Sequence, residues 1–152
     1  MRSQPLGLED WRQIAREDTG SMFEACACLG SGGEALRRYG NLLGMLYHGC
    51  DDVADVRGVE ALGGGGDDDI RDGILTLPAA IAIRDPKISA IFCASDQRRR
   101  EELATAFQAA LPEAEQILDQ IAADARREAT KNSSYPQVLL ALVDYTRGLS
   151  RR

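Results

Sequence analysis

Apolar residues recur at helical spacing along nearly the whole chain, and this periodicity restricts the fold more than any other feature. Across residues 8–29 they fall at Leu8, Trp11, Ile14 and Ala15, then at Met22, Phe23, Cys26 and Leu29. That spacing places them on one face of a helix. The segment GSGG at 30–33 ends it, and residues 34–56 repeat the pattern on a second, longer helix. There Leu36, Leu43, Tyr47 and Cys50 form one stripe, while Asn41, Gly44, His48, Asp51, Asp52 and Asp55 form another. Between 57 and 73 helix is excluded, because Gly63 to Gly66 are successive glycines and each costs backbone entropy in a helix. The segment reads as a loop. Residues 75–83 form a short apolar helix with Pro78 in its first turn, where the missing N–H costs nothing. Asp85-Pro86 breaks the chain, and helices follow over 87–93 and 96–111. Pro112 is expected to open a further helix over about 112–130, with Leu118, Ile121, Ala122 and Ala125 facing inward. KNSSYP turns the chain into a last helix at 137–148. With no repeat and no strand signal, the fold class is all-α, in antiparallel helices.

The 152 residues suit one domain, and a hydrophobic share of 44% supports a core. Aromatics are 5%, so aliphatic residues and alanine must fill it. A net charge of −6 argues against nucleic acid as a partner, since phosphates need a basic face. Phosphate remains open to an acidic chain if metal ions stand between. Cys26, Cys28, Cys50 and Cys93 fit neither a zinc spacing nor a CxxC redox pair, so they read as free thiols of a cytoplasmic protein. The first residues lack the apolar run of a signal peptide, and LTLPAAIAI is too short to cross a membrane.

Asp51 and Asp55 are four apart, and Asp52 is three from Asp55. On a helix all three can project toward one region. Like charges at this spacing destabilise a helix by roughly 0.2–0.5 kcal/mol per pair, so something should offset them. Mg²⁺ would, because it favours carboxylate oxygens and bridges to phosphates. A solvated acidic helix end is the alternative. Gly44, two turns before Asp51, is expected to leave a groove beside the carboxylates.

The surroundings of this DDxxD motif form an ordered set. Thr19-Gly20, Phe23 and Leu29-Gly30 precede it; Leu62-Gly63, Asp69, Gly73 and Thr76-Leu77-Pro78 follow. Leu140, Leu142, Asp144-Tyr145 and Arg147 close the chain. The set resembles the C-terminal half of the trans-isoprenyl diphosphate synthase (polyprenyl synthetase) family, with its second aspartate-rich motif. The resemblance covers nearly the whole chain. It implies an isoprenoid synthase-type antiparallel helical bundle, present here as one partial domain over 1–152. It implies prenyltransfer: an allylic isoprenyl diphosphate, gripped by Mg²⁺ between two aspartate-rich motifs, condenses with isopentenyl diphosphate. Asp51, Asp52 and Asp55 would hold metal. Thr19 and His48 would meet substrate; His48 stands where the family has glutamine.

Departures from the family pattern shape the functional expectation. The first aspartate-rich motif has no counterpart in these 152 residues. Asp18, Gly64 and Ile74 stand where the family has lysines that neutralise diphosphate. Asp67-Asp68-Asp69 reads as a solvated acidic run in a glycine loop. One reading is a prenyl synthase subunit working as a homo- or hetero-oligomer, with a partner chain supplying the N-terminal half. A second is a catalytically inactive regulatory subunit or a remnant of a longer synthase, and a third is a terpene cyclase-like protein. Without the other half, Leu36, Leu43, Tyr47, Leu139, Leu142 and Val143 are expected to leave apolar surface in water.

Overall fold

The computed structural model describes residues 7–58, 73–94 and 97–151. The loop expected between 57 and 73 lies almost entirely outside these residues, as do Gly64 and the acidic run Asp67–Asp69. Among the described residues every regular element is a helix. α1 (Leu8–Ala15) runs through a π-helical turn (Arg16–Gly20) into α2 (Ser21–Ser31). α3 (Arg37–Arg57), α4 (Leu77–Ala82), α5 (Pro86–Ala94), α6 (Arg100–Asn132) and α7 (Gln137–Gly148) follow. A single 3₁₀ turn (Gln97–Arg99) leads into α6, and another (Leu149–Arg151) follows α7.

The boundaries follow local chemistry. Gly32 and Gly58 end α2 and α3 in the left-handed conformation at φ 68° and 73°. Thr76 caps α4, its Oγ1 accepting from the Ala79 N–H at 3.4 Å, with Pro78 in the first turn as expected. The carboxylate of Asp85 accepts from the Lys87 N–H at 2.8 Å, where α5 begins at Pro86.

Pro112 corrects the sequence reading. It lies inside one helix of 33 residues rather than opening a new one. A proline there removes one backbone hydrogen bond, but Phe107, Ala110, Leu111, Ala114 and Leu118 stay on a continuous buried stripe across it. Packing against α3 therefore carries the helix through.

The main core lies between α1, α3, α4, α6 and α7, around Trp11, Leu46, Leu77, Leu118 and Val143, all fully buried. A smaller cluster joins Ile83, Ile91 and Phe92 to Leu103 and Phe107. This packing meets the expectation of open apolar faces only in part. Leu43 and Val143 are buried within the chain, and Leu36 and Leu139 pack partly against the core; Tyr47 and Leu142 stay exposed. Among the described residues no helix is long and apolar enough to cross a membrane.

Candidate functional site

The candidate site sits where α3 crosses the π turn. A Cβ at Gly44 would come within 2.7 Å of the Thr19 carbonyl oxygen and 2.8 Å of the Gly20 Cα. Glycine at 44 thus lets two backbones touch. The groove expected beside the carboxylates is filled by this contact and by Phe23, whose Cβ would lie 3.0 Å away. The π turn widens the helix at this crossing, and π turns recur at functional sites.

This contact brings Thr19 beside His48. Thr19 Oγ1 and His48 Nδ1 form a hydrogen bond of 2.9 Å. The His48 ring also stands tilted against Trp11, with centroids 6.3 Å apart. Burial lowers the His48 pKa below the usual histidine value, outweighing the opposing pull of Asp18 and Asp51. A neutral imidazole accepts or donates through Nδ1 according to its tautomer, and the Thr19 hydroxyl can take the complementary role. Tyr47 stacks on Phe23 next to this pair, at 5.7 Å between centroids.

The three aspartates do not share one role. Asp51 and Asp55, one turn apart on α3, are half-buried. Their Oδ1 atoms are buried oxygens that accept no hydrogen bond among the described residues, while both residues are engaged through other contacts. Asp52 faces the interior. Its Oδ2 accepts from the Trp11 indole N–H at 2.8 Å and from the Leu77 backbone N–H at 2.8 Å. One carboxylate oxygen thereby ties α1, α3 and the start of α4 together. Sequence reading singled out Asp52 but missed Trp11 and Leu77 as its partners. Trp11 registered only as an apolar position, and nothing in the local pattern pairs residues 41 positions apart.

The polyprenyl synthetase family profile matches residues 2–110, well over half of the chain. This chain belongs to that family. It is 30% identical to a nonaprenyl diphosphate synthase from Mycobacterium tuberculosis (strain ATCC 25618 / H37Rv), over 91% of this chain and 48% of the relative. It is 35% identical to geranylgeranyl pyrophosphate synthase 3, chloroplastic, from Arabidopsis thaliana, over 54% of this chain and 25% of the relative. A second Arabidopsis thaliana relative, geranylgeranyl pyrophosphate synthase 9, chloroplastic, is 36% identical over 51% of this chain and 24% of its own length. The chain spans about half the length of the first relative and about a quarter of the other two. The all-helical architecture agrees with an isoprenoid synthase-type fold.

Polyprenyl synthetases as a family generally use Mg²⁺, and the donor set here fits part of that demand. Asp51 and Asp55 offer the oxygen ligands this cation prefers. Among the described residues no group of three His, Cys, Asp or Glu side chains is arranged to hold an ion alone. Mg²⁺ tolerates such a site, since it commonly takes one or two carboxylates and completes its shell with water and substrate phosphate. Asp18 and Ile74 are both exposed and add no positive charge.

Proposed function

We propose that this chain is a prenyl diphosphate synthase-type subunit that binds an allylic isoprenyl diphosphate through Mg²⁺. The observation that carries the reading is the placement of Asp51 and Asp55, half-buried and one turn apart on the α3 face that also bears the Thr19–His48 pair. Asp51 and Asp55 would hold the ion, and Asp52, locked to Trp11 and Leu77, fixes the rotation of α3 that presents them. When bound, Mg²⁺ supplies Lewis-acid stabilisation of the diphosphate. Thr19 and His48 line the approach to the carboxylates, with the His48 imidazole neutral at pH 7. As one partial domain of a synthase fold, the chain works with a second chain that brings further carboxylates and cations. A cytoplasmic setting suits its free thiols.

The test is calorimetric titration with geranylgeranyl diphosphate, an allylic diphosphate, in Mg²⁺ and in EDTA. Binding should require the metal and should fall at least about ten-fold in Asp51→Asn/Asp55→Asn, as expected when charge-assisted contacts are lost. Equal binding in the double variant would refute the metal role.

Exposed Asp18 and Ile74 at lysine positions favour a second reading, a catalytically inactive regulatory relative. Prenyltransfer assays of the isolated chain and of any complex it forms in its native cell separate the two. Turnover by a complex supports the subunit, and binding without turnover in every complex supports the regulatory relative.

A further inference from the structure

A groove of about 640 Å³ that includes neither Asp51 nor Asp55 runs between α1, the π turn, α3 and α6. Its volume lies in the range of small-molecule sites. Leu42, Met45, Ile117 and Ile121 give it an apolar floor, and Arg12 and Arg16 stand at its edge, one helical turn apart.

The charges around this groove are unevenly satisfied. Glu113 is paired with Arg84 at 2.5 Å, Asp124 with Arg127, and Arg38 with Glu128 at 3.3 Å. Arg12 and Arg16 are exposed and make no ion pair or side-chain hydrogen bond among the described residues. The groove edge therefore offers two unneutralised guanidinium groups on a chain whose net charge is −6. Guanidinium forks match phosphate and carboxylate oxygens, and an apolar floor of this kind takes a hydrocarbon tail.

We propose that this groove binds a single monomeric amphiphile, its anionic phosphate or carboxylate head on Arg12 and Arg16 and its apolar tail on Leu42, Met45, Ile117 and Ile121. The groove includes none of Asp51, Asp55, Thr19 and His48, and the site needs no metal. It stands or falls independently of the function proposed above.

Dodecyl phosphate below its micelle concentration is the probe, titrated calorimetrically into the full chain in EDTA. Saturable one-to-one binding is expected. Arg12→Ala/Arg16→Ala should weaken it roughly ten-fold or more, the loss typical of charge-assisted hydrogen bonds. Both residues are exposed, so the variant should keep its helical circular dichroism, and Ile117→Glu should weaken binding through the floor. Dodecanol and inorganic phosphate should each bind far more weakly than dodecyl phosphate. Vesicles of phosphatidylcholine with phosphatidic acid should not compete. Unchanged affinity in the double arginine variant overturns the proposal. So does dodecanol or inorganic phosphate binding as tightly, an absence of binding by the unmodified chain, or binding confined to the vesicles. Loss of binding in Asp51→Asn/Asp55→Asn would also overturn it, by moving the ligand to those carboxylates.

Discussion

Asp52 shows how a motif residue can carry structure. Its Oδ2 is the acceptor for two buried donors, the Trp11 indole and the Leu77 amide. Asp52→Ala would strand both, and a buried unsatisfied group costs about 1–3 kcal/mol. We expect Asp52→Ala to lose roughly 2–4 kcal/mol in urea unfolding, followed by Trp11, the sole tryptophan. Asp51→Ala should lose less, since Asp51 is only half-buried where Asp52 is buried. Equal costs would sink this division of roles. His48 gives a pH prediction. Its folded pKa lies below the ordinary 6.5 because burial disfavours the charged ring. The unfolded chain therefore takes up the proton first, so stability is full above about 6.5 and falls as pH drops toward the folded value. The chain holds one histidine, so a proton NMR titration reads it without overlap. A midpoint at or above the ordinary value would contradict the assignment, and His48→Gln should flatten the acid limb of the stability profile. The candidate residues themselves were visible in the sequence, because DDxxD and Thr-Gly are local patterns. Which aspartate turns inward was not, because it depends on Trp11 and Leu77 from distant parts of the chain.

At the scale of elements, apolar periodicity located α3 and α7 to within a few residues, and the sequence-expected helix at 75–83 is α4 with ragged ends trimmed. Two features escaped that logic. The π turn inserts a residue and so shifts the helical phase by about 100°, which leaves Met22 and Leu29, expected on the inner face, exposed. Pro112 misled because local propensity was weighed without the tertiary stripe that runs across it. The same fact yields a prediction. Proline in a helix interior costs about 3 kcal/mol, part of which returns through a stiffer unfolded chain. The Pro112 side chain is exposed, so Pro112→Ala removes little packing. It should raise stability by about 1–2 kcal/mol in urea unfolding. A loss of stability would mean that the ring, and the local bend it imposes, are needed where α6 passes α3.

At one end of the bundle a charge network joins the apolar packing of Val143 and Leu149. Arg147 on α7 is buried, with Nε donating to Asp119 at 2.7 Å and Nη2 to Glu115 at 2.5 Å. Its Nη1 donates to Ser150 Oγ at 2.9 Å, and Arg57 at the end of α3 reaches the same Glu115 at 2.8 Å. These contacts join α3, α6, α7 and the terminal 3₁₀ turn around one guanidinium. The sequence marked Arg147 only as part of a family-like closing helix, since its partners on α6 are about thirty residues away and look like ordinary surface acids. Removing one member of a buried ion pair costs about 3–5 kcal/mol, because the remaining charge stays desolvated; Glu115 is largely buried but Asp119 is exposed, so the low end of that range applies. We therefore expect Arg147→Met to lose about 3 kcal/mol and to loosen α7 as a unit, seen as faster amide exchange over residues 137–148. Arg126, paired with Asp144 at 2.6 Å on the surface, is the control, and Arg126→Ala should cost under about 1 kcal/mol. Lysine at 147 keeps the charge but cannot reach Asp119, Glu115 and Ser150 together in a planar fork, so Arg147→Lys should recover less than half of the loss. If Arg147→Met and Arg126→Ala cost the same, the end of the bundle is held by Val143 and Leu149 alone, and the buried network contributes nothing beyond a surface pair.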